Sequence, residues 1–268
     1  MAGFALHCER IGMHPDRALV LLHGFMGSAA DWRPIAESLG DLATCLCVDL
    51  PGHGKSTGGK PDDYGFVTTA ARIVEEIVDA HGFDTFCIGG YSMGGRIALY
   101  TALHFPMRVD GIVVESAMPG LRDSSERSAR ASSDDALAER LEREPLTDFL
   151  HEWYAQPLFS SLAARTELLE ETINRRMRND GRELARALRG FSTGRMPSLW
   201  DEWRECYIPS LVVTGEQDEK YAAIAREMTA ASAKSRHVSV PDAGHNVHAE
   251  APTEYIMYLR RFLAEDTL

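Results

Sequence analysis

Gly89-Gly90-Tyr91-Ser92-Met93-Gly94-Gly95-Arg96-Ile97-Ala98 closes an apolar run and opens an amphipathic one. Glycines stand two positions before and two positions after Ser92, where a sharp strand-to-helix turn leaves no room for side chains. Such a turn pushes the serine hydroxyl out at the tip of a sheet, over the amino end of the following helix. A glycine-rich packing turn could show the same letters without any chemistry, so the reading depends on what surrounds it.

The surroundings alternate. ALVLLHG (18–24), TCLCVDL (44–50), TFCIGG (85–90), GIVVES (111–116), SLVVTG (210–215) and RHVSV (236–240) read as strands. Several are apolar almost throughout, as parallel strands covered on both faces should be. DWRPIAESLG, FVTTAARIVEEIVDAHG, SMGGRIALYTALHF, AAIAREMTAASAK and EYIMYLRRFLA show helical spacing. This order predicts an α/β fold with a mostly parallel, doubly wound sheet. The alternation stops across residues 117–205, which are rich in Arg, Glu, Ala and Leu at helical spacing. The expected organisation is therefore a core of residues 1–116 and 206–268 with a helical cap at 117–205. SSERSARASSDD (124–135) suits either a mobile hinge or a charged helix.

A formal charge of −12 argues against nucleic acid and anionic membranes as partners, so any anionic ligand needs a local cationic pocket. Only Lys55, Lys60, Lys220 and Lys234 are lysines; the other cations are arginines, whose planar forks suit carboxylates. MAGFALHCERIG lacks a basic start and a continuous apolar stretch, and no window reaches membrane-spanning length. Cys8, Cys45, Cys47, Cys87 and Cys206 form an odd set without paired spacing, several of them in apolar strand-like runs. The expectation is a reduced, cytoplasmic protein with no structural metal.

A serine hydroxyl needs a histidine to take its proton. His245 in VPDAGHNVHAE follows the last predicted strand and is preferred to His248, three residues on, where a helix begins. Asp218 in TGEQDEK is the orienting acid, with Glu216 second. The chain order Ser, Asp, His is that of the α/β-hydrolase fold. In this fold the loop HGFMGS (23–28) and the residue after the nucleophile supply an oxyanion hole, which nominates the amides of Phe25 and Met93. His23 and His53 (in DLPGHGKS) read as architectural.

Arg96 lies one helical turn beyond Ser92 on the same helix face. A guanidinium there must find either a carboxylate of the protein, with Glu115 at the end of the next strand a candidate, or an anion of the substrate.

Taken together, LLHGFMGSAADW, DLPGHGKS, GYSMGGRIALY, VVESAMPGL, WYAQPLF, MRNDGRELARALRGFSTGRMPSLW, TGEQDEKY and AGHNVHAE resemble the 2-succinyl-6-hydroxy-2,4-cyclohexadiene-1-carboxylate synthases of menaquinone biosynthesis, over nearly the whole chain. The resemblance implies a cofactor-free lyase that expels pyruvate from a small polycarboxylate. It assigns Ser92, Asp218 and His245 to the triad and Arg96, Arg130 and Arg176 to substrate carboxylates, with Arg178 close enough to exchange places with Arg176. Tyr91, Trp153 and Phe159 match the family's pocket aromatics. Either Ser92 or His245 could be the immediate base. Two other readings use the same residues: a carboxylesterase or thioesterase working through an acyl-enzyme, and a non-catalytic receptor for a small acid.

Overall fold

The computed structural model describes residues 4–265. Its sheet contains β1 (Cys8–Ile11), β2 (Ala18–Leu22), β3 (Thr44–Val48), β4 (Phe86–Tyr91), β5 (Val109–Glu115), β6 (Ser210–Gly215) and β7 (Ser235–Val240). The strands lie in the order β1-β3-β2-β4-β5-β6-β7. Only β1 runs antiparallel to its neighbour. All six expected strands are present. The edge strand β1 is additional: four residues of mixed burial are too short for alternation to reveal them.

Each residue of β2, β3, β4 and β6 is buried, because helices cover both faces. Alternate side chains divide between two cores, as strand geometry requires. Val20, Leu22, Ile88 and Val212 face α2 (Phe66–Arg72), α3 (Met93–His104) and α10 (Glu219–Ala231). Leu19, Leu21, Cys87 and Val213 face α1 (Arg33–Glu37), α11 (Val247–Glu250) and α12 (Pro252–Glu265). From β3 the chain crosses over β2 to reach β4, so the strand order reverses between these two. The carboxyl ends of strands at such a reversal form a natural crevice. The HGFMGS loop follows β2 there, and Ser92 follows β4.

Between β5 and β6 the described chain forms only helices: α4 (Ser124–Arg143), α5 (Leu146–Tyr154), α6 (Ser160–Ala163), α7 (Thr166–Arg176), α8 (Gly181–Gly190) and α9 (Trp200–Arg204), besides a short 3-10 turn. The hinge alternative for 124–135 gives way to a charged helix. Asp123 caps it, accepting from the amides of Ser125 and Glu126 at 2.8 and 2.9 Å. Its few buried residues, Asp134, Ala138 and Leu141, form a narrow stripe. Phe149, Leu150, Leu162, Leu184 and Leu188 build a third core, and Met26 of the HGFMGS loop reaches into it. Asn179 also donates to the Met26 carbonyl at 2.9 Å. The roof and the loop after β2 are thus fastened together.

Removing the cap of α4 by Asp123→Ala should lower the midpoint of equilibrium urea unfolding, while Asp123→Asn, which keeps a capping oxygen, should largely preserve it.

Candidate active site

Ser92 alone joins β4 to α3, at φ 51° and ψ −106°. A residue with a Cβ adopts such a backbone only when its surroundings impose it. The Ser92 amide donates to the Glu115 carbonyl at 2.8 Å, and the Arg96 amide donates to the Ser92 carbonyl at 3.1 Å. The flanking glycines are steric necessities. A Cβ on Gly90 would fall 2.4 Å from the Gly94 carbonyl carbon, and one on Gly94 would fall 2.2 Å from the Leu22 oxygen.

Asp218 begins α10, and His245 sits in the loop after β7. His245 Nδ1 lies 2.6 Å from Asp218 Oδ2, and Nε2 lies 3.2 Å from Ser92 Oγ. These contacts bring the expected nucleophile, base and orienting acid together in series. His248 has a different role: its ring pairs with Glu115 at 2.8 Å and stacks on Trp32 at 4.2 Å. Glu216 is exposed. Glu250 clamps the loop that carries His245 by accepting from the amides of Gly244 and Asn246 at 3.0 and 3.2 Å.

His23 and His53 shape the loop after β2 reciprocally. His53 Nε2 accepts from the Met26 amide, and His23 Nε2 accepts from the Leu50 amide, both at 3.0 Å. Their Nδ1 atoms face the carbonyls of Pro51 and Gly24. Burial lowers the proton affinity of both rings. Neutral imidazoles with the proton on Nδ1 satisfy all four contacts. Among the described residues the Phe25 amide has no hydrogen-bond partner, and Met93, as the first residue of α3, has no intrahelical one. Both residues line the cavity in front of Ser92.

That cavity measures about 590 Å³, and Ser92, Asp218 and His245 are in its wall. Tyr91, Trp153 and Phe159 line it too, with the Phe159 ring 5.9 Å from that of His245. Arg96, Arg130 and Arg176 all reach it. Arg178 is exposed and outside it. The three guanidiniums differ in their partners. Arg176 is buried, with Nη1 2.9 and 2.7 Å from the two Asp31 oxygens. Arg130 gives its Nε to Asp134, at 2.9 and 3.0 Å to the two oxygens. Arg96 is only 9% exposed, yet it has no carboxylate partner among the described residues. Its Nη2 donates to the Phe191 carbonyl at 3.0 Å, and its Nε is unsatisfied. The Glu115 pairing expected as one alternative does not form, because Glu115 is held by His248. Burial pulls the Arg96 guanidinium down to about 10, which still leaves it charged at neutral pH.

The alpha/beta hydrolase fold family model matches residues 17–252. A protein of Salmonella heidelberg (strain SL476) named 2-succinyl-6-hydroxy-2,4-cyclohexadiene-1-carboxylate synthase is 35% identical, over 96% of this chain and 98% of its own length. The chain belongs to this synthase family. Protein PHYLLO, chloroplastic, of Arabidopsis thaliana is also 35% identical over 94% of this chain, which spans only 16% of PHYLLO's length. The solved structure of MenH from S. aureus superposes with a TM-score of 0.91 at 29% identity, covering 98% of this chain and 99% of that one.

All the synthase-family positions named from the sequence therefore face one chamber, apart from Arg178. Sequence reasoning missed Tyr154, which hydrogen bonds Arg176 at 3.4 Å, and the cavity residues Gln217, Lys220, Tyr221 and Asn246. The last four adjoin Asp218 or His245 in the chain; proximity to a triad member was the available signal.

Two outcomes test this geometry. Gly94→Ala should cost about 3 kcal/mol or prevent folding, since the clash is with backbone. Asp31→Asn should cost about 3–5 kcal/mol in urea unfolding by stranding the buried Arg176 charge. Burial pushes the Asp31 carboxyl up, but the charge and hydrogen bonds of Arg176 outweigh it and hold it below the usual carboxylate range. A depressed carboxyl stabilises the fold above its unfolded-state value and ceases to do so as pH falls through its folded-state value. The Asp31→Asn deficit should accordingly shrink in acid.

Proposed function

We propose that this protein eliminates pyruvate from 2-succinyl-5-enolpyruvyl-6-hydroxy-3-cyclohexene-1-carboxylate to give 2-succinyl-6-hydroxy-2,4-cyclohexadiene-1-carboxylate. It is a lyase of menaquinone biosynthesis on an α/β-hydrolase scaffold, acting on a small molecule. The observation that carries the mechanism is Arg96: a buried guanidinium with no carboxylate partner among the described residues, one turn from the serine. Stranding such a charge costs several kcal/mol unless an anion arrives. A substrate with three carboxylates supplies that anion.

The chemistry follows from the residue types. His245, steadied by Asp218, takes the Ser92 proton as Ser92 Oγ removes the proton at ring carbon 2, next to the succinyl ketone. The carbon–hydrogen electrons form the 2,3 double bond, the former 3,4 double bond moves to 4,5, and the bond from carbon 5 to the enolpyruvyl oxygen breaks. Enolpyruvate leaves and is protonated to pyruvate. Negative charge gathering on the ketone oxygen is met by the Phe25 and Met93 amides, each worth about 3 kcal/mol to the transition state. Arg96, Arg130 and Arg176 hold carboxylates, and Tyr91, Trp153 and Phe159 exclude water. Residues 117–205 act as the cap that closes this chamber.

An acyl-enzyme esterase or thioesterase would use the same triad but gives Arg96 nothing to bind, so that reading is not favoured. No helix among the described residues is long and apolar enough to cross a membrane. A cytoplasmic enzyme without nucleic-acid partners fits that finding and the acidic charge.

Purified enzyme should release pyruvate from this substrate, read by coupled lactate dehydrogenase. Arg96→Ala should lower kcat/KM by about 2–5 kcal/mol of transition-state binding. Normal folding with unaltered kinetics in that variant would remove the carboxylate-anchoring role.

A further inference from the structure

Tyr221 stands on the first turn of α10, three residues past Asp218, whose carboxylate accepts its backbone N–H at 3.3 Å. Its ring lies 4.8 Å from the His245 ring and lines the same cavity as Arg96 and Arg130. Among the described residues its hydroxyl has no hydrogen-bond partner. Both guanidiniums are near enough to act on it electrostatically. A guanidinium has donors only, so the phenol oxygen can accept from that side while its O–H needs an acceptor elsewhere. Of the carboxylates near it among the described residues, Asp218 is engaged by His245, Asp134 by Arg130 and Ser192, and Glu219 at the cavity wall is exposed to solvent. Burial pushes the Tyr221 phenol up, so it keeps its proton and remains a donor at neutral pH.

We infer that Tyr221 is a specificity-determining residue whose hydroxyl donates to a substrate carboxylate also held by Arg96 and Arg130. Three side chains from α3, α4 and α10 then grip one anion. A carboxylate has about four lone-pair sites, enough for two guanidiniums and a phenol. The ring on His245 and the hydroxyl on the anion would set the distance between the base and the held arm of the substrate. This inference rests on the polycarboxylate reading of the site.

Tyr221→Phe keeps the ring against His245 and deletes only the hydroxyl. KM for the cyclohexene carboxylate should rise about tenfold while kcat stays within about threefold. The acid limb of the kcat–pH profile should not move, because His245 keeps its partners. Succinate, used as a dicarboxylate probe in calorimetry, should bind the variant about tenfold more weakly than wild type. The assignment is overturned if succinate fails to bind the wild type or binds both proteins equally, or if KM is unchanged. A fall in kcat with a displaced acid limb also overturns it, since the ring would then be acting through His245. A wild type that binds succinate through the hydroxyl yet releases no pyruvate would sink the lyase reading and leave the Tyr221 contact standing.

Discussion

One residue of left-handed backbone turns β4 into α3, and the site depends on that turn being held. Ser92 at φ 51° cannot relax toward ordinary geometry, because β5 takes its amide and α3 takes its carbonyl. The approach of α3 to β2 is so close that only Gly94 fits beneath the Leu22 carbonyl. This closeness brings the first helical amide and the loop after β2 to the same side of the hydroxyl. Hydroxyl, amide donors and the first turn of α3 are thereby fixed before any substrate arrives, and Arg96 inherits its place from the same turn.

The electrostatics are arranged in a gradient of prior commitment. Arg176 is neutralised by Asp31, and Arg130 is steadied through one nitrogen by Asp134 while its terminal nitrogens are uncommitted. Among the described residues Arg96 has only a backbone carbonyl. The first is a fork shared with a protein carboxylate, the second a positioned fork, and the third a charge with no carboxylate partner among the described residues. An acidic protein thus presents a cationic interior without placing three unpaired guanidiniums against one another.

The core strands were legible because full burial writes apolar residues at nearly every strand position, as in ALVLL and SLVVTG. The triad was legible because the turn chemistry around Ser92 is so restrictive and the three members fall at strand ends. β1 escaped notice because an edge strand of four residues leaves no pattern. The stretch 124–135 was ambiguous because α4 buries so little; its cap at Asp123, rather than its composition, declares a helix. The fate of Arg96 could not be read from residue types. Glu115 is a reasonable partner by sequence position, and only the packing of His248 against Trp32 reveals that it is already taken. Tyr221 went unnoticed for a similar reason, since an aromatic on the first turn of a helix is ordinarily a packing residue.

The fastening of the roof to the loop after β2 has a consequence for traffic. Met26 is embedded among roof side chains, Asn179 ties down its carbonyl, and Asp31 anchors the end of α7. Prising up this side would drag the neighbouring Phe25 backbone away from the wall it shares with Ser92. A doorway on that flank would therefore disturb the loop beside Ser92 at each opening. At the start of α10, by contrast, exposed Lys220 borders the chamber without any such tie to the loop after β2 among the described residues.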